Sequence, residues 1–136
     1  MIVVEKLNKS FNGTNVLTDI SNKFEKGKTN LIIGQSGSGK TVLLKCILGL
    51  YGIDSGNIYF ENRSLQKMDT KERSVLRQEM GMVFQGSALF DSINVEENVM
   101  FPMKMFTNKN HTEILDRANI AIKRVNLINS NHKMPA

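Results

Sequence analysis

Residues 34–41 read Gly34-Gln35-Ser36-Gly37-Ser38-Gly39-Lys40-Thr41, which matches the phosphate-binding loop pattern in full. Glycines let successive backbone N–H groups turn inward around an anion, and a following helix adds the positive end of its dipole. We expect Lys40 to reach the β- and γ-phosphates and the Thr41 hydroxyl to coordinate Mg²⁺. A side chain at Gly39 is expected to crowd the phosphates. The stretch therefore predicts a site for a nucleoside triphosphate.

The flanking sequence predicts a strand, a glycine loop and a helix in that order. Residues 29–33 contain a continuous apolar run, which is typical of a central strand buried on both faces. Residues 41–50 carry apolar side chains at helical spacing. A phosphate-binding loop needs this context, because the first N–H groups of the helix face the anion.

Strand and turn signals extend upstream and downstream of this centre. Asn12-Gly13 is a turn signal between the apolar-rich residues 1–7 and 15–24, so we expect the chain to open as antiparallel β structure. Further short strands are predicted at residues 57–60 and 81–84.

Helix starts are marked by capping pairs, in which Asp or Asn is followed three residues later by Glu. The pairs are Asp69 with Glu72, Asn94 with Glu97 and Asn110 with Glu113. They predict a helix over about residues 70–79, a second that ends or kinks before Pro102, and a third that runs to about Leu127. On the third, Leu115, Ala118, Ile122 and Val125 are expected to share one face. Strands that alternate with helices predict an α/β fold.

Composition narrows the class of protein. With 136 residues the chain is expected to form one domain at most, and its single cysteine, Cys46, excludes an internal disulfide. The net charge is +5, but Lys and Arg are scattered without aromatic platforms, which argues against nucleic acid as a partner. No apolar run is long enough to span a bilayer and the start lacks a signal-peptide pattern, so a cytoplasmic location is expected.

Two residues outside the loop are candidates for the same site, each with an ordinary alternative. Phe11 precedes Asn12-Gly13 and either stacks on a nucleotide base or belongs to the core. Gln85 follows a predicted strand, where its amide either reaches a metal or water at the γ-phosphate or caps a loop. The two histidines, His111 and His132, are not expected to be catalytic.

These features together resemble the nucleotide-binding subunit of ABC transporters. The shared residues, in order and spacing, are Phe11, the loop 34–41 with Val42-Leu43-Leu44-Lys45, Asp54-Ser55-Gly56-Asn57-Ile58 and Met82-Val83-Phe84-Gln85. Residues 84–92, followed by residues 94–99 and Phe101-Pro102, are more particularly similar to the Mla-type ATPases of phospholipid transport.

The resemblance implies the fold of a P-loop NTPase within one domain. Residues 1–84 would form the N-terminal antiparallel β part and the RecA-like core, and residues 85–136 the Q-loop and the start of a helical subdomain. Residues 34–41 would be the Walker A loop that binds ATP, with Lys40 catalytic. Phe11 would stack on adenine, and Gln85 would act in catalysis and share Mg²⁺ with Thr41.

The resemblance also implies partners and a location. A membrane permease would dock in a groove near residues 87–105, and a second ATP-binding subunit, in a homodimer, would complete the ATP sandwich. The protein would be peripheral on the inner face of the cell membrane, and the Mla-type similarity implies a phospholipid cargo.

One departure from the family pattern leaves a second function open. The 136 residues contain no Leu-Ser-Gly-Gly signature, no Walker B acid and no switch histidine. The chain is therefore expected to supply one half-site, with little hydrolysis alone and an exposed apolar edge beside residues 29–33. The alternative is a binding module for nucleotide or permease without turnover. A GTPase is less supported, because residues 108–111 begin like a guanine-reading segment but lack its Asp.

Overall fold

The chain begins with a β-hairpin. Strand β1 (Ile2–Phe11) pairs antiparallel with strand β2 (Thr14–Phe24) across Asn12 and Gly13. Both turn residues have positive φ, 49° and 79°, which is the backbone that an Asn-Gly hairpin turn favours. The predicted antiparallel opening is confirmed.

A register shift in β1 decides which side chains enter the core. The pairing with β2 is irregular between Val4 and Leu7, where Lys6 has a φ of 47°. The extra residue of a bulge shifts the alternation of side chains between the two faces of the sheet by one position. Val4 and Leu7, three positions apart, are therefore both buried.

The computed structural model describes residues 1–84, 86 and 88–135, and the chain divides into two units at Met82 and Val83. In the first unit a four-stranded sheet has the order β2-β1-β3-β4, with β3 (Ser55–Phe60) antiparallel to β1 and to β4 (Arg63–Ser64). The helices of this unit are α1 (Lys40–Ile47), a short 3₁₀ turn (Leu65–Lys67) and α2 (Thr70–Gln78).

The first unit has one apolar core built from both the sheet and its helices. Its buried members are Val4, Leu7, Leu17, Leu43, Cys46, Ile47, Ile58, Phe60, Leu65 and Leu76. The Asp69–Glu72 capping box predicted for α2 is present. Cys46 belongs to this core and is completely buried.

Helix α1 is shorter than predicted because of Gly49. It ends at Ile47, and Gly49 has a φ of 65°, the left-handed conformation that closes many helices. The Gly49 N–H donates to the Cys46 carbonyl and the Leu50 N–H to the Lys45 carbonyl, at 3.0 and 2.9 Å. This pair of bonds is the Schellman motif, and it turns the chain back toward α1.

Two predicted strands are wrong, at residues 29–33 and 81–84, neither of which has strand structure. A buried central strand needs hydrogen-bonded neighbours, and in the described ranges no segment pairs with either. Leu31, Ile33 and Val83 are instead 82%, 81% and 97% exposed. Among the described residues, the expected strand edge beside residues 29–33 is therefore absent, although apolar side chains are exposed there as expected.

The second unit contains helices α3 (Val95–Phe106) and α4 (His111–Arg124). Both begin with the predicted capping boxes, Asn94 with Glu97 and Asn110 with Glu113. Met100 on α3 packs against Ile114 and Ala118 on α4, and all three are buried.

The predicted bounds of these helices are wrong in two places. Helix α3 continues through Pro102, because Val99 and Met103 on either side of it pack against the core of this unit. Helix α4 ends at Arg124 rather than near Leu127, and Val125 is 64% exposed. The buried face of α4 consists of Ile114, Ala118 and Ile122.

Residues that follow α4 accept hydrogen bonds from backbone N–H groups in the first turn of α3. The Val95 N–H donates to the Lys133 carbonyl at 2.9 Å, and the Glu96 N–H to the Asn131 carbonyl at 3.0 Å. The Asn131 amide also donates to the Glu96 carboxylate at 2.6 Å. These contacts give residues 130–133 a defined position although their sequence has no periodicity.

Candidate functional site

The predicted phosphate-binding loop lies at the start of α1. Gly39 is the N-cap of the helix with a φ of 89°, and Lys40 and Thr41 are its first residues. Before it, the Ser38 N–H donates to the Gln35 carbonyl at 3.2 Å, which closes a turn. No acidic residue lies in the first helical turn, so nothing there competes with an anion for the positive end of the helix.

Strand β2 limits the size of the residue at position 39. A Cβ on Gly39 would lie 2.9 Å from Leu17 Cδ2 and 3.1 Å from the Val16 carbonyl oxygen. Gly39 is therefore required by close packing against the hairpin. The groups that would crowd a side chain here belong to β2, and the expected crowding of phosphates stays a prediction.

The Lys40 side chain folds back over the loop that precedes it. Its ammonium group donates to the carbonyl oxygens of Gly34 and Gln35, at 2.8 and 2.7 Å. Those carbonyls hold the cation at the mouth of the loop. An anion bound at the helix start would take over these donors, since a charged acceptor forms a stronger bond than a neutral carbonyl.

A cavity of about 170 Å³ lies at this helix start. It is lined by Gly37, Gly39, Lys40 and Thr41 from the loop and helix, by Val42, and by Val16 from β2. The structure thus brings four of the eight predicted phosphate-contacting residues to one cavity, whereas Gly34, Gln35, Ser36 and Ser38 are not part of its lining. Sequence reasoning missed Val16, which has no motif of its own and reaches the site only through the hairpin.

Phe11 lies at the last position of β1 and is 39% exposed, so it is not a core residue. Its ring meets that of Tyr51 edge-on, with centroids 5.4 Å apart. The Lys9 ammonium lies 4.9 Å from the Phe11 ring centroid. The alternative that Phe11 belongs to the core is therefore not supported, and stacking on a nucleotide base stays a prediction.

Asp54 is a second residue whose place the sequence did not predict. Its carboxylate accepts hydrogen bonds from the N–H and the hydroxyl of Ser10, both at 2.6 Å, and from Lys9 at 3.1 Å. These donors lower the pKa of Asp54, the Ser10 hydroxyl most of all. The only signal in the sequence was the short run Asp54-Ser55-Gly56, to which no role was assigned.

Gln85, predicted as a catalytic and metal-binding residue, lies outside the described residues, as does Ser87 at the start of the predicted docking groove. The rest of that groove belongs to the second unit. Leu89, Phe90 and Met105 there are 52%, 48% and 61% exposed. The Phe90 ring packs on Phe101 at a centroid distance of 4.7 Å.

The side chain of Asn98 fixes the segment that carries Phe90. Its Oδ1 accepts from the Phe90 N–H at 2.8 Å, and its Nδ2 donates to the Phe90 carbonyl at 3.0 Å. An apolar surface is thereby held in a defined shape at the start of α3. Such exposed apolar patches are typical of protein contact sites.

Neither a metal site nor a membrane-spanning helix is found in the described part of the chain. It contains no group of His, Cys, Asp and Glu side chains able to hold a metal ion unaided. Among the same residues, no helix has both the length and the hydropathy needed to cross a membrane.

Comparisons with known proteins identify the family of the chain. The family pattern described as "ABC transporter" matches residues 17–135. The phosphonates import ATP-binding protein PhnC of Fusobacterium nucleatum is 36% identical over 115 residues, covering 85% of this chain and 46% of its own. The methionine import ATP-binding protein MetN of Clostridium tetani is 34% identical over 135 residues, covering 99% of this chain and 42% of its own.

A solved structure has the same fold. It is a dimeric ATP-binding cassette in a post-hydrolysis state, bound to ADP and Pi, with a TM-score of 0.89 over 99% of this chain and 62% of that one, at 24% identity. The predicted P-loop NTPase fold is confirmed. The chain spans less than half the length of PhnC and MetN.

Proposed function

The chain belongs to the ABC transporter ATP-binding family, and from this membership we propose that it binds MgATP at residues 34–41 as one half-site of a transport ATPase. One observation carries the proposal. Gly37, Gly39, Lys40 and Thr41 meet at the start of α1 around a cavity whose lining, among the described residues, contains no acidic side chain.

The phosphates would bind through charge and backbone donors. The first N–H groups of α1 have no carbonyl partner within the helix, and they point to the same end as the positive pole of its dipole. Lys40 adds a full positive charge that is already held at the loop by the carbonyls of Gly34 and Gln35. On binding, Lys40 would exchange these carbonyls for phosphate oxygens.

Mg²⁺ fits this site only together with the nucleotide. Thr41 lines the cavity and offers a single hydroxyl oxygen. Mg²⁺ keeps several waters and is commonly held by one or two protein groups plus substrate phosphates, so one hydroxyl is compatible with it. The metal would neutralise charge on the β- and γ-phosphates. Gln85 as a further ligand remains a prediction from the sequence.

Hydrolysis is the family activity that we propose for the complete ATP sandwich. The sequence contains no acid in a Walker B context that would polarise the attacking water, and removal of a general base typically costs 10²- to 10⁴-fold in rate. A second candidate, a nucleotide-binding module without turnover, follows from the same observation. Measurement of phosphate release by the chain, alone and with a permease, separates the two.

Partners and cargo are proposals that depend on different residues. The exposed apolar surface at Leu89, Phe90 and Met105 supports docking of a membrane permease near residues 87–105. The protein would then lie on the inner face of the membrane, paired with a second ATP-binding subunit. A phospholipid cargo depends only on the similarity of residues 84–92, 94–99 and Phe101-Pro102, whereas the names of the relatives concern phosphonates and methionine.

ATP titration with and without Mg²⁺ tests the central proposal. We expect saturable binding, and a loss of affinity of at least about 10-fold in Lys40→Ala, because a charge-assisted bond to phosphate is removed. Lys71→Ala removes a lysine from α2, outside the loop, and serves as the matched control. Unchanged affinity in Lys40→Ala would contradict phosphate binding by this loop. Equal competition by GTP would favour the guanine-nucleotide alternative.

A further inference from the structure

The exposed ring of Phe11 is held by side chains that no phosphate-binding motif accounts for. We propose that Lys9, Tyr51 and Asp54 are positioning residues that fix Phe11 as a platform on which the base of the bound nucleotide stacks. The inference rests on the proposed function, because it concerns the base of the same nucleotide. The stacking of Phe11 on the base is already implied by the family resemblance, and the inference adds the residues that hold its ring in place.

The sheet register places Asp54 beside the end of β1. Asn8 of β1 pairs with Ser55 of β3, so the residue before β3 lies alongside the residues that lead to Phe11. The Asp54 N–H donates to the Asn8 carbonyl at 2.9 Å. The Asp54 carboxylate then accepts from the N–H and the hydroxyl of Ser10. The backbone immediately before Phe11 is therefore fixed by one side chain.

Lys9 links this carboxylate to the ring itself. Lys9 and Phe11 are two positions apart in a strand and point to the same face. The ammonium lies 3.1 Å from Asp54 Oδ1 and 4.9 Å from the Phe11 ring centroid, and the Lys9 side chain is only 16% exposed. A cation at this distance from an aromatic centroid is attracted to the ring. Asp54 thus holds Lys9 where it restrains Phe11.

Tyr51 joins the ring to the helix that carries the phosphate site. The Schellman motif after α1 turns the chain so that the Tyr51 N–H donates to the Lys45 carbonyl at 3.2 Å. The Lys45 ammonium lies 5.1 Å from the Tyr51 ring centroid and 3.4 Å from its hydroxyl. The Tyr51 ring in turn contacts Phe11 edge-on, at an interplanar angle of 73°.

These contacts fix the position of the Phe11 ring relative to the start of α1, where the phosphates are proposed to bind. Lys45 belongs to α1, whose first residues are Lys40 and Thr41, and Phe11 is connected to α1 through Tyr51. A nucleotide has its base and its phosphates at opposite ends, so it benefits when both contact points are fixed before it binds. A half-exposed ring with a fixed orientation suits a stacking partner better than it suits a core.

Comparison of ATP with inorganic tripolyphosphate tests the platform, because tripolyphosphate has the phosphates but no base. Phe11→Ala should weaken ATP binding by about 10-fold, the scale of one base–aromatic stack. Tyr51→Ala and Asp54→Ala should each weaken it by at least about threefold, a fraction of that stack. Tripolyphosphate affinity should change by less than about twofold in all three, since the phosphate contacts remain. Tyr51→Phe and Phe11→Tyr, which keep the rings, should retain ATP affinity.

A double-mutant cycle shows whether the residues act through the ring. In a Phe11→Ala background, Tyr51→Ala and Asp54→Ala should produce no further loss of ATP affinity. Lys9→Met keeps the side-chain stem without its charge and provides a mild substitution whose fold circular dichroism can verify. It should reproduce the Asp54→Ala effect on ATP alone.

The outcomes that overturn the platform differ from those that overturn the function. Equal losses for ATP and tripolyphosphate, unchanged ATP affinity in the folded Lys9→Met and Asp54→Ala variants, or additive losses in the cycle would each overturn the platform alone. Failure of the unmodified chain to bind either ligand would overturn the proposed function together with it.

Discussion

Gly39 lies against Leu17, and a methyl group added to Gly39 would stand 2.9 Å from Leu17 Cδ2. Leu17 is buried in the sheet, whereas Gly39 is the residue from which α1 begins. The hairpin and the start of the helix therefore meet at a point where a side chain at position 39 would have to displace Leu17 and Val16. The position of the loop depends on this contact as well as on the loop's own glycines.

Substitution of Gly39 should affect stability more than substitution of a neighbouring glycine. Gly37 also has a positive φ, 80°, but a Cβ there would have no atom within 4 Å. Gly37→Ala should cost only the backbone strain, about 1 kcal/mol, and Gly39→Ala about 1–3 kcal/mol more because Leu17 and Val16 must move. Urea unfolding of both variants measures the difference. Equal costs would mean that β2 moves freely and that packing does not fix the loop.

Exposed ion pairs make the first unit sensitive to acid. Hydrogen bonds from Ser10 and Lys9 lower the pKa of Asp54, and bonds from Lys26 and Arg63 lower those of Glu61 and Glu79. A carboxyl group whose pKa is lowered by folding stabilises the fold above its ordinary pKa, which is 3.8 for Asp and 4.5 for Glu. That contribution is lost as the pH falls through the lowered value in the folded state.

We therefore expect the free energy of unfolding to decrease as the pH falls below about 4.5, the ordinary pKa of a Glu side chain. Asp54→Asn should flatten part of this decrease, whereas Asp116→Asn, an exposed site on α4 that forms no ion pair within the described ranges, should leave it unchanged. Salt at about 0.5 M should weaken the effect, because exposed charges are screened. Urea titrations between pH 3 and 6 test this. An identical slope for Asp54→Asn would contradict the assignment.

Local signals in the sequence were sufficient wherever the structure is decided within a few residues. Each capping box needs only an Asp or Asn and a Glu three positions later, and all of those predicted are present. The Asn12-Gly13 turn and the glycine loop before α1 are decided in the same way. The position of the glycine loop at the start of α1 could therefore be predicted from the local sequence.

Predictions from local sequence patterns were wrong or missing where the structure depends on distant parts of the chain. Residues 29–33 have the sequence of a buried strand, but strand formation requires paired neighbours that a local pattern cannot supply. Tyr51 and Asp54 reach Phe11 only through the Schellman turn and the register of β1 with β3. The contacts of these two residues around Phe11 could not be predicted from spacing alone.

The rate at which a reagent labels the single cysteine can measure how often the core opens to solvent. Cys46 is completely buried, and burial raises the pKa of its thiol, so little reactive thiolate is present at neutral pH. Labelling with a thiol reagent should be slow in buffer and should accelerate in urea along with unfolding. ATP should slow it further by stabilising the folded state. Cys46→Ala provides the control without a thiol, and fast labelling in buffer would show that the core opens readily.

Pro102 is expected to be a destabilising residue that its helix tolerates. Pro102 has no N–H to donate to the Asn98 carbonyl, and a proline inside a helix costs about 3 kcal/mol relative to alanine. It is exposed, so its replacement opens no cavity, whereas Val99 and Met103 on either side pack against the core of the second unit. Pro102→Ala should stabilise α3 by about 1–3 kcal/mol.

Hydrogen exchange of the α3 amides measures that effect within its own unit. Lys104→Ala is the matched control, because Lys104 is an exposed position of the same helix and both lysine and alanine are good helix formers. We expect slower exchange in Pro102→Ala and almost no change in Lys104→Ala. Faster exchange in Pro102→Ala would mean that the proline ring stabilises α3 through contacts, and the packing of Val99 and Met103 would not be what carries the helix past it.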